Sequence, residues 1–127
     1  MRKILLDASA LLALLQHEPG AEQVAAEIEY AAISIINLAE VVTKLFDTEV
    51  SEEAIQKALI PLNLTIVPFD EQMAYETGRL RTSTRQLGLS LGDRACLATA
   101  KIQGASILTA DRVWLQVNIG VDIKCIR

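Results

Sequence analysis

Four carboxylates stand in apolar or small-residue surroundings that surface decoration would not select: Asp7 in Leu-Asp-Ala-Ser, Glu40 in Leu-Ala-Glu-Val, Asp93 in Leu-Gly-Asp-Arg and Asp111 in Thr-Ala-Asp-Arg. Carboxylates brought together repel one another, and they stay ionised side by side only when a cation joins them. Oxygen donors without a His or Cys set select a hard ion, Mg²⁺ or Mn²⁺, held by one or two carboxylates with water and a substrate phosphate completing the shell. Such an ion acidifies a bound water and neutralises charge on a phosphate under in-line attack, so phosphodiester hydrolysis is the matching reaction. The chain has one histidine, His17, and two cysteines, Cys96 and Cys125. That excludes a His-rich centre or a disulfide framework and leaves the thiols as reduced core groups.

Each acid also has a purely structural reading. Glu40 follows Asn37 by three residues and Asp93 follows Ser90 by three, the spacing of a capping box. Asp7 could close a strand, and Asp111 could cap a helix. A cap leaves carboxylate oxygens free, so the two readings are compatible. Four independent caps would not be expected to share apolar flanks and one edge of a sheet.

For distant acids to meet, the elements carrying them must end at a common edge. Short apolar runs at residues 3–7, 32–36, 64–69, 106–109 and 121–126 read as strands, the third limited or placed at an edge by Pro68. Helical periods fill residues 8–17 and 20–30, a stretch from an Asn37 N-cap to 47, one capped by Ser51 to 59, one from Asp70 to 87, and one from Ser90 to 103. Strands alternating with helices predict an α/β fold, a three-layer α/β/α arrangement around a central, mostly parallel sheet. At 127 residues, 51% hydrophobic and 22% charged, the chain suits one domain spanning residues 1–127. No apolar run reaches the ~18 residues of a membrane span. Residues 4–15 are interrupted by Asp7 and Ser9 and lack a cleavage site, so no signal peptide is expected and the location is cytoplasmic by default.

At these residues the chain resembles a PIN domain, and most closely a VapC-type toxin ribonuclease of a type II toxin–antitoxin system. The motifs are Leu6-Asp7-Ala8-Ser9-Ala10-Leu11-Leu12, Asn37-Leu38-Ala39-Glu40-Val41, Leu89-Ser90-Leu91-Gly92-Asp93-Arg94-Ala95 and Leu108-Thr109-Ala110-Asp111, in the family's order and approximate spacing. The resemblance implies Mg²⁺- or Mn²⁺-dependent cleavage of single-stranded RNA, frequent homodimerisation, and inhibition by a VapB-like antitoxin protein that blocks the site. It makes Asp7, Glu40, Asp93 and Asp111 the catalytic set, with Asp7 and Asp93 binding the ion directly and Glu40 and Asp111 acting through water or on the nucleophile. Ser9, Asn37 and Thr109 match supporting polar positions. Many relatives carry a further acid shortly after the fourth; here Arg112-Val113-Trp114 follows, which favours one well-held ion.

Charge is unevenly spread. Residues 1–64 hold ten acids and four bases, whereas residues 65–127 hold six acids and eight bases, with Arg79, Arg81, Arg85 and Arg94 forming a basic stretch. Arg81, Arg85 and above all Arg94, one residue past a proposed ligand, are candidates for substrate phosphates; a solvated helix face is the plain alternative. Trp114 could stack on a base but is more readily packing, and His17 reads as a helix-end residue rather than a base. The apolar stretches 10–15 and 31–36 suit either the core or a dimer or antitoxin interface. Two other functions compete: a catalytically silent PIN-fold module that binds RNA or protein, and a phosphate-handling receiver or phosphatase. The latter usually needs a second acid two residues after the first, where Ser9 stands. The net charge of −4 equals the four proposed site acids, since the other twelve acids match the twelve Lys and Arg.

Overall fold

The computed structural model describes residues 3–127. Five strands form one sheet: β1 (Ile4–Leu6), β2 (Ala31–Ser34), β3 (Thr65–Val67), β4 (Ser106–Thr109) and β5 (Ile123–Cys125). Their order is β3-β2-β1-β4-β5, and every neighbouring pair is parallel. Leu6 is level with Ile33 on one side and Leu108 on the other, so β1, β2 and β4 end within one residue of the same level. Asp7, just past β1, and Ser34 and Thr109, the last residues of β2 and β4, therefore meet at one edge. Strand order reverses around β1, between β2 and β4, which is where open parallel sheets bind ligands.

The helices are α1 (Ala8–Leu15), α2 (Ala21–Glu27), α3 (Ile35–Asp47), α4 (Glu52–Leu59), α5 (Glu71–Thr84) and α6 (Leu91–Gln103). Alternation along the central strand decides the layers. Ile4 and Leu6 pack with Leu11, Val24, Val41, Leu45 and Ile55 from α1 to α4, while Leu5 packs with Met73, Leu80, Cys96, Leu97 and Trp114 on the α5–α6 side. Burial on both faces explains why β1 reads as an unbroken apolar run. The apolar stretches follow suit: Ala10 to Ala13, Ala31 and Ile33 are core, whereas Ile35 is 42% exposed. Among the described residues, no helix is long and apolar enough to cross a membrane.

Several boundaries differ from the sequence reading for local reasons. α3 begins at Ile35, because the Ser34 hydroxyl accepts the Ile36 N–H; Asn37 is not its N-cap and Glu40 is not part of a capping box. α5 gives way to a 3₁₀ turn, Arg85–Leu87, closed by Gly88 in the left-handed region. β3 lies at an edge, as Pro68 requires.

Gly20, between α1 and α2, has φ +96°, and a Cβ there would fall 2.6 Å from both the carbonyl oxygen and Cγ1 of Ile126. Gly104, at φ +66°, has nothing within 4 Å of its Cβ position. Gly104→Ala should therefore cost about 1 kcal/mol from backbone conformation alone, and Gly20→Ala about 2 kcal/mol or more because a clash is added. Urea denaturation of the two variants checks the ranking.

Candidate active site

Asp7 is the innermost of the four acids. It follows β1, caps α1, and is 4% exposed. Its Oδ1 accepts the Ala10 N–H at 2.8 Å, and the Thr109 hydroxyl donates to Oδ2 at 2.6 Å. The Ser9 hydroxyl faces both oxygens, at 2.7 and 2.9 Å, while accepting the Ala110 N–H at 2.9 Å. Ser9 thus ties the start of α1 to the end of β4 rather than capping a helix. A carboxylate offers about four lone-pair positions, and these three donors supply three hydrogens, leaving one acceptor position open.

Glu40 lies on the second turn of α3, where the Asn37 amide donates to its Oε1 at 2.8 Å. Among the described residues, none donates a hydrogen bond to its Oε2. Asp93, in the first turn of α6, completes a reciprocal capping box with Ser90: the Asp93 N–H donates to the Ser90 hydroxyl at 3.1 Å, and the Ser90 N–H to Asp93 Oδ2 at 3.0 Å. Among the described residues, Oδ1 has no partner. Asp111 sits farther out, exposed, its Oδ1 accepting the Val113 N–H at 3.0 Å to start a short 3₁₀ turn.

The electrostatics show three of the acids acting on one another's surroundings. Burial foremost, with the charge of Asp93 adding to it, lifts the Asp7 pKa from 3.8 to about 6, against the hydrogen bonds that favour its ionised form. Beneath them Cys96 is wholly buried, and burial followed by the charges of Asp7, Asp93 and Glu40 pushes its thiol well above the ordinary range. Residues 86 positions apart in sequence, Asp7 and Asp93, are therefore electrostatic neighbours.

All four acids line one open cavity of about 650 Å³, with Ser9, Leu12 and Trp114 among its walls. Two further acids, Glu18 and Asp47, and two bases, Lys44 and Arg127, also border it. None of these four stood out in the sequence, although Lys44 follows Glu40 by one helical turn. Arg127 is held by Glu18 Oε1 at 3.2 Å and by the Pro19 carbonyl at 3.1 Å. The basic stretch expected beside the acids is elsewhere. Arg94 turns to α5, donating from Nη1 to the Thr77 carbonyl at 3.0 Å, and neither it nor exposed Arg81 or Arg85 borders the cavity. Trp114 is fully buried packing, and His17 lies outside the cavity.

Among the described residues, no three His, Cys, Asp or Glu side chains are gathered closely enough to enclose an ion by themselves. The all-oxygen donor set, with one acceptor position left open on Asp7 and a whole oxygen on each of Glu40 and Asp93, fits a hydrated hard cation that keeps most of its waters. Asp7 and Asp93 are the residues that would touch it.

The PIN domain family matches residues 4–120. This chain belongs to the PIN domain family. None of the curated proteins matches it in sequence. Solved structures similar to this PIN domain include a toxin–antitoxin complex from Klebsiella pneumoniae (21% identity, covering 98% of each chain, TM-score 0.75). They also include FitAcB from Neisseria gonorrhoeae (22% identity, 97% of each chain, TM-score 0.74). A third is VapBC-1 from nontypeable Haemophilus influenzae (18% identity, 97% of each chain, TM-score 0.74). Identity this low, over nearly the whole length, speaks for a common fold.

The buried charge of Asp7 has a thermodynamic consequence. Its native pKa of about 6 exceeds the unfolded value of 3.8, so the native state binds the proton more tightly; the stability this gives is full below pH ~4 and is lost as pH rises through ~6. Two pK units correspond to about 3 kcal/mol. Asp7→Asn, which keeps the shape without the charge, should stabilise the metal-free PIN domain by up to about 3 kcal/mol above pH ~6, and the gain should vanish below pH ~4. Denaturation in EDTA across that range tests this.

Proposed function

We propose that this PIN domain is a Mg²⁺- or Mn²⁺-dependent endoribonuclease that hydrolyses phosphodiester bonds in single-stranded RNA. In this reading it is the toxin of a type II toxin–antitoxin pair, works in the cytoplasm as a homodimer, and is restrained by a VapB-like antitoxin protein. The observation carrying the proposal is the convergence of Asp7, Glu40 and Asp93 on one open cavity, each with a carboxylate position not consumed by the fold. The similar solved structures described as toxin–antitoxin complexes support the biological setting.

Asp7 and Asp93 would hold the ion, with Glu40 and Asp111 bordering the same space. The bound ion supplies an acidified water and neutralises charge on the scissile phosphate. Ser9 and Thr109 fix the plane of the Asp7 carboxylate through their hydroxyls, so its open position faces one way. Glu40, with Oε2 free, is placed to take the proton the attacking water gives up.

With labelled single-stranded RNA and Mg²⁺, cleavage should stop in EDTA. Loss of groups that merely orient a metal ligand costs 10–100-fold, so Asp7→Asn and Asp93→Asn should each reduce kcat/KM by more than about a hundredfold. Expression of the wild type should arrest bacterial growth, and expression of either variant should not. RNA bound but left intact would favour the silent binding module; cleavage unaffected by Asp93→Asn would move the site.

A further inference from the structure

Asn37 is a buried polar residue whose hydrogen bonding is half satisfied. It is 1% exposed, and its amide nitrogen donates to Glu40 Oε1 at 2.8 Å and to the Gly92 carbonyl at 3.0 Å. Both partners are acceptors, so the amide orientation is settled by chemistry. Its Oδ1 is buried with no partner. An orphaned acceptor in a core costs free energy, which offsets part of what the two donated hydrogen bonds contribute.

The second half of the arrangement is Gly92, in the first turn of α6. A Cβ there would fall 2.6 Å from Glu40 Oε1 and 2.5 Å from Cδ, with Oε2 nearer still. The Glu40 carboxylate therefore lies flat against bare backbone, in space any other residue would fill. Gly92 has an ordinary helical backbone, so its missing side chain serves the approach and not the conformation.

We propose that Asn37 and Gly92 together form the positioning element for Glu40: Asn37 ties one carboxylate oxygen to the α6 backbone, and Gly92 leaves the room in which the carboxylate rests. The pair joins the first turns of α3 and α6, 55 residues apart, and so sets the distance between Glu40 and Asp93. Neither residue need touch substrate; each acts through Glu40. The role assigned to Glu40 rests on the nuclease reading above, whereas the coupling of the three residues does not.

Gly92→Ala separates the proposal from simple structural support. Alanine is the better helix former, and the atoms it meets belong to the end of a flexible side chain, so the fold should melt no lower than wild type. The carboxylate, however, must leave. In ¹⁵N-correlated spectra the Asn37 side-chain NH₂ pair should be protected from solvent exchange in the wild type, and shifted and exchanging faster in Gly92→Ala and in Glu40→Ala. Mn²⁺ affinity and kcat/KM on RNA should each fall about tenfold or more in Gly92→Ala and in Asn37→Ala, the loss expected when a group orienting a ligand is removed. In a Glu40→Ala background neither substitution should add a further loss. An Asn37 NH₂ pair unchanged by Gly92→Ala, or a full additional loss in the Glu40→Ala background, would overturn the proposal. A coupled NH₂ pair in a protein that cleaves no RNA would instead overturn the nuclease reading and leave the coupling standing.

Discussion

The structure depends on one buried carboxylate. Asp7 is pressed into the end of the central strand, where water is excluded and a negative charge is costly, yet it is surrounded by donors that favour its ionised form. Those donors come from α1 and from β4, 102 residues away in sequence for Thr109, so the charge also joins the two ends of the sheet's central pair. Free energy lost by burying the charge is held at the place where a cation would recover it. A stable core would put an apolar residue here.

Parallel pairing makes this placement possible. Because β1, β2 and β4 end within one residue of the same level, each strand delivers its terminal residues to one edge, and the helical turns that follow begin there. A helix start presents unpaired N–H groups, and Asp7, Ser34, Ser90 and Asp111 each satisfy some of them with a side chain. Capping and site-building are thus done by the same residues: the carboxylates of Asp7 and Asp93 accept N–H groups with some lone pairs and offer the remainder to the cavity. The wide separation of the acids in sequence follows from this, since each arrives on a different strand or helix.

The charge balance takes on a spatial meaning. Six acids border the cavity against Lys44 and Arg127, while Arg81, Arg85 and Arg94 lie away from it. Arg94 and Lys101 instead strengthen the contact of α6 with α5, Lys101 through an ion pair at 3.1 Å with largely buried Glu76. Of the basic stretch visible in the sequence, Arg94 ties α6 to α5, Arg79 pairs with Glu76 on its own helix, and Arg81 and Arg85 are exposed.

From the sequence alone came the four acids that border one cavity, the alternation of strands and helices, the edge position of β3 and the Ser90–Asp93 capping box. These depend on interactions within a few residues, or on periodicities that repeat along one element, and such signals are written in order along the chain. Tertiary structure alone decided what faces what. Asn37 resembles an N-cap in any window of sequence, but Ser34 takes that role, and Asn37 turns to Glu40 and to Gly92, 55 residues away. Arg94 neighbours Asp93 in the chain, yet successive helical residues point about 100° apart, and it faces α5. Glycine at position 92 looks like a weak helix residue until α3 is laid against it and its missing side chain becomes the seat of a carboxylate. Direction around a helix and the approach of one element to another are set by packing between distant segments, and no local pattern carries them.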